Sequence, residues 1–194
     1  MEMKDILGEN FNDYEDFIEV NETNQGIIYK AFNKKTQKDC CLKIINKKQL
    51  ELGDYDFLLE QINREEEITK LCNSEYTVNF YKRIENDEYI IFELENCDTD
   101  LKDYLEDNGD LSNDIDLFKE IIISISKALK VLQDKGIMHR DIKPGNIFIK
   151  DENENKRIKL GDFGCSIYIK DNTSEPIGTI FYAAPEIIKN ISYD

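Results

Sequence analysis

The chain has 194 residues, enough for one substantial core or two small lobes, and at 40 % hydrophobic and 34 % charged it has the composition of a soluble globular protein. Forty-one acidic against 25 basic residues leave a net charge of −16, which argues against unaided binding to nucleic acid or anionic membrane and makes any phosphate site a local one. Five cysteines, at 40, 41, 72, 97 and 165, show no C-x-x-C spacing and read as reduced thiols of a cytoplasmic or nuclear protein; no signal sequence and no bilayer-length apolar run is evident.

In chain order, residues 1–15 are acidic and polar without a clear period and read as a tail. Phe17–Val20 and Gly26–Ala31 flank the polar run 21–25 in a hairpin pattern, and Cys40–Ile45 follows a turn-like stretch, so three antiparallel strands are expected. Leu58, Ile62, Glu65, Thr69 and Cys72 share one face at the helical repeat. Helical phase therefore selects Glu65 from the acidic triplet 65–67, although a solvated acidic patch would look similar. Thr77–Tyr81 and Glu88–Phe92 read as two further strands. Helical periods return at Leu101–Leu105 and at Ile115–Leu132. In the second of these, Ile115, Phe118, Ile121, Ile122, Ile125, Leu129 and Leu132 form one broad apolar stripe that needs neighbours. Two strands, Asn146–Ile149 and Arg157–Leu160, are expected around the polar run 150–156.

The chemistry-bearing residues cluster in the second half. His139-Arg140-Asp141-Ile142-Lys143-Pro144-Gly145-Asn146 puts a carboxylate, a cation and an amide oxygen on one short loop. Turn residues alone could account for it. Asp162-Phe163-Gly164 follows the hairpin, and Gly178-Thr179 leads into Ala184-Pro185-Glu186. Taken together, these motifs resemble the catalytic loop, the metal-binding tripeptide and the activation-segment end of eukaryotic protein kinases. Lys143 and Thr179 resemble the serine/threonine type more than the tyrosine type.

The resemblance covers about residues 17–194 and implies an α+β, two-lobe fold. Residues 16–95 would be a small lobe with a five-stranded antiparallel sheet and one helix, and residues 96–194 a mainly helical, incomplete large lobe. It implies ATP and magnesium as cofactors, serine or threonine in protein substrates, and an upstream activating kinase as a further partner. By the same resemblance, Asp141 accepts the substrate hydroxyl's proton, Lys143 steadies the γ-phosphate, and Asn146 and Asp162 hold the metal, while His139 only packs. The nucleotide would meet Val20, Gly26, Ile28 and Cys41, the Lys43–Glu65 ion pair, Phe92 at the back of its pocket, and the backbone of Glu93 to Glu95. Gly26 is the one glycine left of the family's three in this loop, since Asn21 and Thr23 stand at the other two positions; alone it would be an ordinary hairpin glycine, and Lys43 alone an edge-guarding lysine. Arg140 is placed as in kinases ordered by a phosphorylated activation loop, with Thr173 and Ser174 as acceptors and Glu175 as a built-in charge. The family continues for several helices beyond Ala-Pro-Glu, whereas this sequence stops at Asp194, so the expectation is a folded small lobe and a loose large lobe with little activity. The competing expectations are a non-catalytic kinase-like binding module and an inactive remnant.

Overall fold

The computed structural model describes residues 2–23, 26–51, 53–152, 155–171 and 178–188. They fall into two compact units, one made of Met1–Gln61 with Asn79–Asn96 and the other of Ile62–Val78 with Cys97–Asp194.

The first unit begins with helix α1 (Met3–Leu7) and a 3-10 stretch over Gly8–Asp13. Strands β1 (Tyr14–Thr23), β2 (Gly26–Asn33) and β3 (Lys38–Asn46) follow, then the short helix α2 (Lys47–Leu50) and helix α3 (Tyr55–Leu71), which runs on into the second unit. Strands β4 (Phe80–Glu85) and β5 (Tyr89–Glu95) complete a five-stranded antiparallel sheet in the order β1-β2-β3-β5-β4. β3 and β5 lie inside that order and are covered on both faces, which is why they read as nearly continuous apolar runs rather than alternating ones.

Two expectations change here. The N-terminal segment is not a tail: Ile6 and Leu7 are buried with Tyr14, Leu42, Ile44, Tyr89 and Ile91, and the Asn86 amide donates to the Ile6 carbonyl at 2.9 Å. A few apolar side chains in an acidic stretch show no period, yet they suffice to dock it once a sheet face is offered. The strand expected at Thr77–Tyr81 starts only at Phe80, because the backbone of Tyr76 and Val78 bonds instead to Leu160.

In the second unit β6 (Thr99–Asp100) precedes α4 (Leu101–Asn108), whose first turn is capped by Asp100, and α5 (Ile115–Asp134), capped by Asp114. After them come β7 (Ile137–Met138), β8 (Ile147–Glu152), β9 (Asn155–Leu160) and β10 (Ile167–Tyr168). They form two small sheets, β6-β8-β9 and β7-β10. One core cluster joins Ile68 and Cys72 to Ala128, Leu132, Ile137, Leu160 and Phe163; another joins Leu101, Leu117 and Ile121 to Ile147, Ile149 and Ile158.

The stripe expected to be buried along α5 is mostly uncovered. Of its members Ile121 and Leu132 are buried and Ile125 partly so, whereas Ile115, Phe118, Ile122 and Leu129 are exposed; the buried side is completed by Leu117 and Ala128. Adjacent isoleucines therefore test the packing: Ile121 is 6 % and Ile122 53 % exposed. Ile121→Ala is expected to cost about 2–5 kcal/mol in urea unfolding. Ile122→Ala should stay within about 0.5 kcal/mol.

Candidate active site

The loop from His139 to Asn146 is pinned at both ends. Before it, β7 pairs with β10, and after it Ile147 opens β8 opposite Leu160 of β9. A backbone bond from Gly161 to the Asn146 carbonyl, 3.0 Å, holds Asn146 next to the strand end that carries Asp162. Inside the loop Arg140, and after β9 Asp162, take positive φ of 66° and 58°, conformations that cost side-chain-bearing residues about 1–3 kcal/mol and gather at functional sites.

Asp141 is buried, and its carboxylate is the meeting point of three partners. The Lys143 ammonium lies 2.8 Å from Oδ2, the Asn146 amide donates to the same oxygen at 3.0 Å, and the Thr179 backbone N–H donates to Oδ1 at 2.7 Å. Asn146 also donates to the Asp141 carbonyl at 2.8 Å, and Lys143 donates to the Thr179 hydroxyl at 2.9 Å. Burial alone would raise the Asp141 pKa, but Lys143 and Thr179 outweigh it and hold the carboxyl below its usual range. Lys143 is the mirror case, lowered by burial and raised further by Asp141, for a net upward shift. The result is an ionised acceptor beside a fixed cation.

Thr179 can approach because the residue before it is glycine. Gly178 sits at φ +93°, where a Cβ would come within 2.3 Å of the Arg140 carbonyl. His139 is buried against Phe163, ring centres 5.2 Å apart, with Nε2 3.0 Å from the Gly161 carbonyl, and burial pushes its pKa down. It packs, as its neighbours imply. Arg140 donates through Nε to the Cys165 carbonyl at 2.7 Å. Thr173, Ser174 and Glu175 lie outside the described residues.

Both bonds of the Asn146 amide use its nitrogen, which leaves the carbonyl oxygen for a cation, and the Asp162 carboxylate is exposed, accepting only a long 3.4 Å bond from Gly164 among the described residues. One amide oxygen and one carboxylate make a hard, oxygen-only donor pair suited to a divalent ion that keeps its waters.

The residues expected at the nucleotide divide between the units. In the first, Lys43 on β3 is buried and opposite Ile28 on one side and Phe92 on the other, so the three share a sheet face with Cys41, whose thiol burial pushes up to about 11. The side chains of Glu93 and Glu95 lie on the opposite face, which leaves only their backbone for a ligand on the Lys43 side. Val20 is exposed on β1. Gly26 has a structural reason of its own: at φ +155° its Cβ would fall 2.0 Å from the Ile44 carbonyl. The residues 24 and 25 before it lie outside the described residues. In the second unit Glu65 is buried on α3, while Glu67 accepts from Tyr168 at 2.5 Å. The Thr179 contact and the bonds of Tyr14 and Asn33 to Glu93 carry no local signal, since they join residues 38 to 79 apart.

Comparison with known proteins identifies the family. The protein kinase domain model matches residues 14–194, and the chain belongs to the protein kinase family. It is 33 % identical over 173 residues to serine/threonine-protein kinase 4 homolog B of Dictyostelium discoideum, a match covering 87 % of this chain and 15 % of that protein. The probable serine/threonine-protein kinase fhkA of the same organism is 32 % identical over 205 residues, covering 99 % of this chain and 33 % of its own. Calcium-dependent protein kinase 5 of Plasmodium falciparum is 33 % identical over 172 residues, covering 87 % and 29 %. The chain thus spans between 15 % and 33 % of these relatives' lengths. Membership implies ATP and a divalent metal in general.

Removing the cation from the carboxylate cluster has a readable consequence. In Lys143→Ala the Asp141 pKa is expected to rise, because one of the two partners that lower it is gone while the burial that raises it remains. Carboxylate NMR titration of the parent and the variant measures this. An unmoved or lower Asp141 pKa would mean that Lys143 is not what holds it down.

Proposed function

We propose that this chain carries the catalytic centre of an ATP-dependent serine/threonine protein kinase, and the observation that supports it most is the Asp141–Lys143–Asn146–Thr179 cluster. In the reaction the substrate hydroxyl oxygen bonds the γ-phosphorus, the bridge to ADP breaks, and the hydroxyl proton passes to Asp141. Lys143 neutralises charge on the transferring group, and the Thr179 N–H keeps Asp141 aimed. Lys43 and Glu65 act as the pair that orients the phosphates. Magnesium is the proposed ion, with Asn146 and Asp162 as its holders; when bound it neutralises charge on the phosphate oxygens.

Protein serine or threonine and ATP are the proposed substrates, and an upstream kinase acting near Thr173 and Ser174 is the proposed activator. With a net charge of −16, neither nucleic acid nor anionic membrane is a proposed partner. Five unbridged cysteines favour a reducing, intracellular setting. The altered glycine loop favours a second reading, a kinase-like binding module without catalysis. That reading has to explain why Asp141, Asn146 and Asp162 are all retained.

In whichever length of the chain transfers radiolabelled phosphate to serine or threonine peptides, Lys43→Met and Asp162→Asn are each expected to lower the rate by at least about 10²-fold, since both act on charge in the site. Undiminished transfer by Asp162→Asn would overturn the assignment. Asn21→Gly/Thr23→Gly should tighten Mg-ATP binding in calorimetry, because side chains at those positions restrict approach of the backbone to phosphate.

A further inference from the structure

A buried carboxylate of the first unit gathers partners from three other strands and is not part of the reaction. Glu93, on β5, is 2 % exposed; its two oxygens accept from the Tyr14 hydroxyl at 2.5 Å and the Asn33 amide at 2.8 Å, and the Lys82 ammonium forms an ion pair with it at 3.6 Å. Lys82 also lies over the Tyr14 ring, 5.3 Å from its centre. The partners come from β1, β2 and β4, and Tyr14 reaches β5 past the two strands between them. Tyr14 is also the residue at which the docked N-terminal segment enters the sheet, in the same cluster as Ile6, Leu7 and Leu42, and Leu42 is the register partner of Glu93.

Two residues further along β5 the arrangement recurs. The Asn79 amide donates to the Glu95 carboxylate at 2.8 Å, and the Glu95 N–H donates to the Asn79 carbonyl at 2.8 Å. Both carboxylates flanking Leu94 are therefore gripped on the sheet face away from Lys43, which fixes the backbone between them. A buried carboxylate that loses its shortest bond cannot stay where it is without cost. Losing the Tyr14 bond therefore removes a restraint on the Glu93 side chain and on the backbone that carries it.

We propose that Tyr14, with Asn33 and Lys82, is a positioning residue for nucleotide binding: through the Glu93 carboxylate, the N-terminal segment sets the backbone of Glu93 to Glu95. The inference rests on the reading of that backbone as the part that meets adenine. It makes the Tyr14 hydroxyl, at the point where the N-terminal segment enters the sheet, an input to nucleotide affinity, so that losing its bond to Glu93 weakens ATP binding without touching the catalytic loop.

The test compares Tyr14→Phe, which deletes one hydroxyl, with Leu7→Ala, which loosens the same segment's packing and leaves Glu93 its three partners. Each is titrated with a fluorescent ATP analogue and magnesium, unfolded in urea, and assayed for KM(ATP) and kcat where there is activity. Tyr14→Phe is expected to weaken nucleotide binding and raise KM(ATP) about three- to tenfold, with kcat little changed. Leu7→Ala should lose stability and keep the parental affinity. Lys82→Met, on a more exposed side chain, repeats the test should Tyr14→Phe not fold. Parental affinity in Tyr14→Phe, or an equal loss in Leu7→Ala, overturns the inference and leaves the nucleotide reading standing. No binding by the parent chain overturns both.

Discussion

A buried charge has to be answered by its surroundings, and in the loop from His139 to Asn146 that charge is Asp141. Desolvating a carboxylate costs several kcal/mol unless opposite charge and hydrogen bonds replace the lost water. The three groups that replace it lie two, five and thirty-eight residues along the chain. The first two come with the loop itself. The third requires the segment around Gly178 to fold back, and that return is possible only because no side chain stands between Gly178 and the Arg140 carbonyl. The fold-back at Gly178 thus brings Asp141 one of the partners that favour its ionised form.

The same logic recurs wherever regular structure runs out. The strands of β7 and β10 have two residues each, too few to hold a sheet by their own ladder. Buried polar side chains take up the loop backbone instead. The Ser166 hydroxyl donates to the His139 carbonyl, the Thr77 hydroxyl to the Cys72 carbonyl, and the Lys159 ammonium to the Thr77 carbonyl. Each satisfies an acceptor that would otherwise be buried without a donor. The apolar clusters under α5 supply bulk stabilisation, and these bonds determine which loop conformation is stabilised.

What the sequence disclosed follows from the reach of its signals. The phase of α3 singled out Glu65, which is buried, from Glu67, which turns to Tyr168, because one helix turn is local information. The motif around Asp141 was legible as a motif. Its Thr179 ligand was not, since nothing near either residue records the other. Along α5 the periodicity separated apolar from polar, but it could not separate Ile121 from Ile122, for both belong to the apolar arc and only the neighbours present decide which is covered. Ile6 and Leu7 were invisible for the opposite reason, being two apolar residues without a period whose burial comes from the sheet they land on.

Gly26 shows how a shared residue can carry two explanations, and which is the more demanding. The 2.0 Å approach of its absent Cβ to the Ile44 carbonyl forbids any side chain there, with or without a nucleotide. Its presence is therefore required by the packing of β2 on β3 and measures nothing about phosphate. Asn21 and Thr23 are meanwhile committed to the ladder, in register with Ile28 and Gly26, so the hairpin fixes the course of their backbone before any ligand arrives. On the proposed reading, a loop so engaged contributes less to holding ATP than one with three glycines, and a larger share falls to Lys43 and the backbone at the end of β5. That redistribution gives the bonds to Glu93 and Glu95 their weight: where fewer contacts hold the ligand, the rigidity of those that remain decides the affinity.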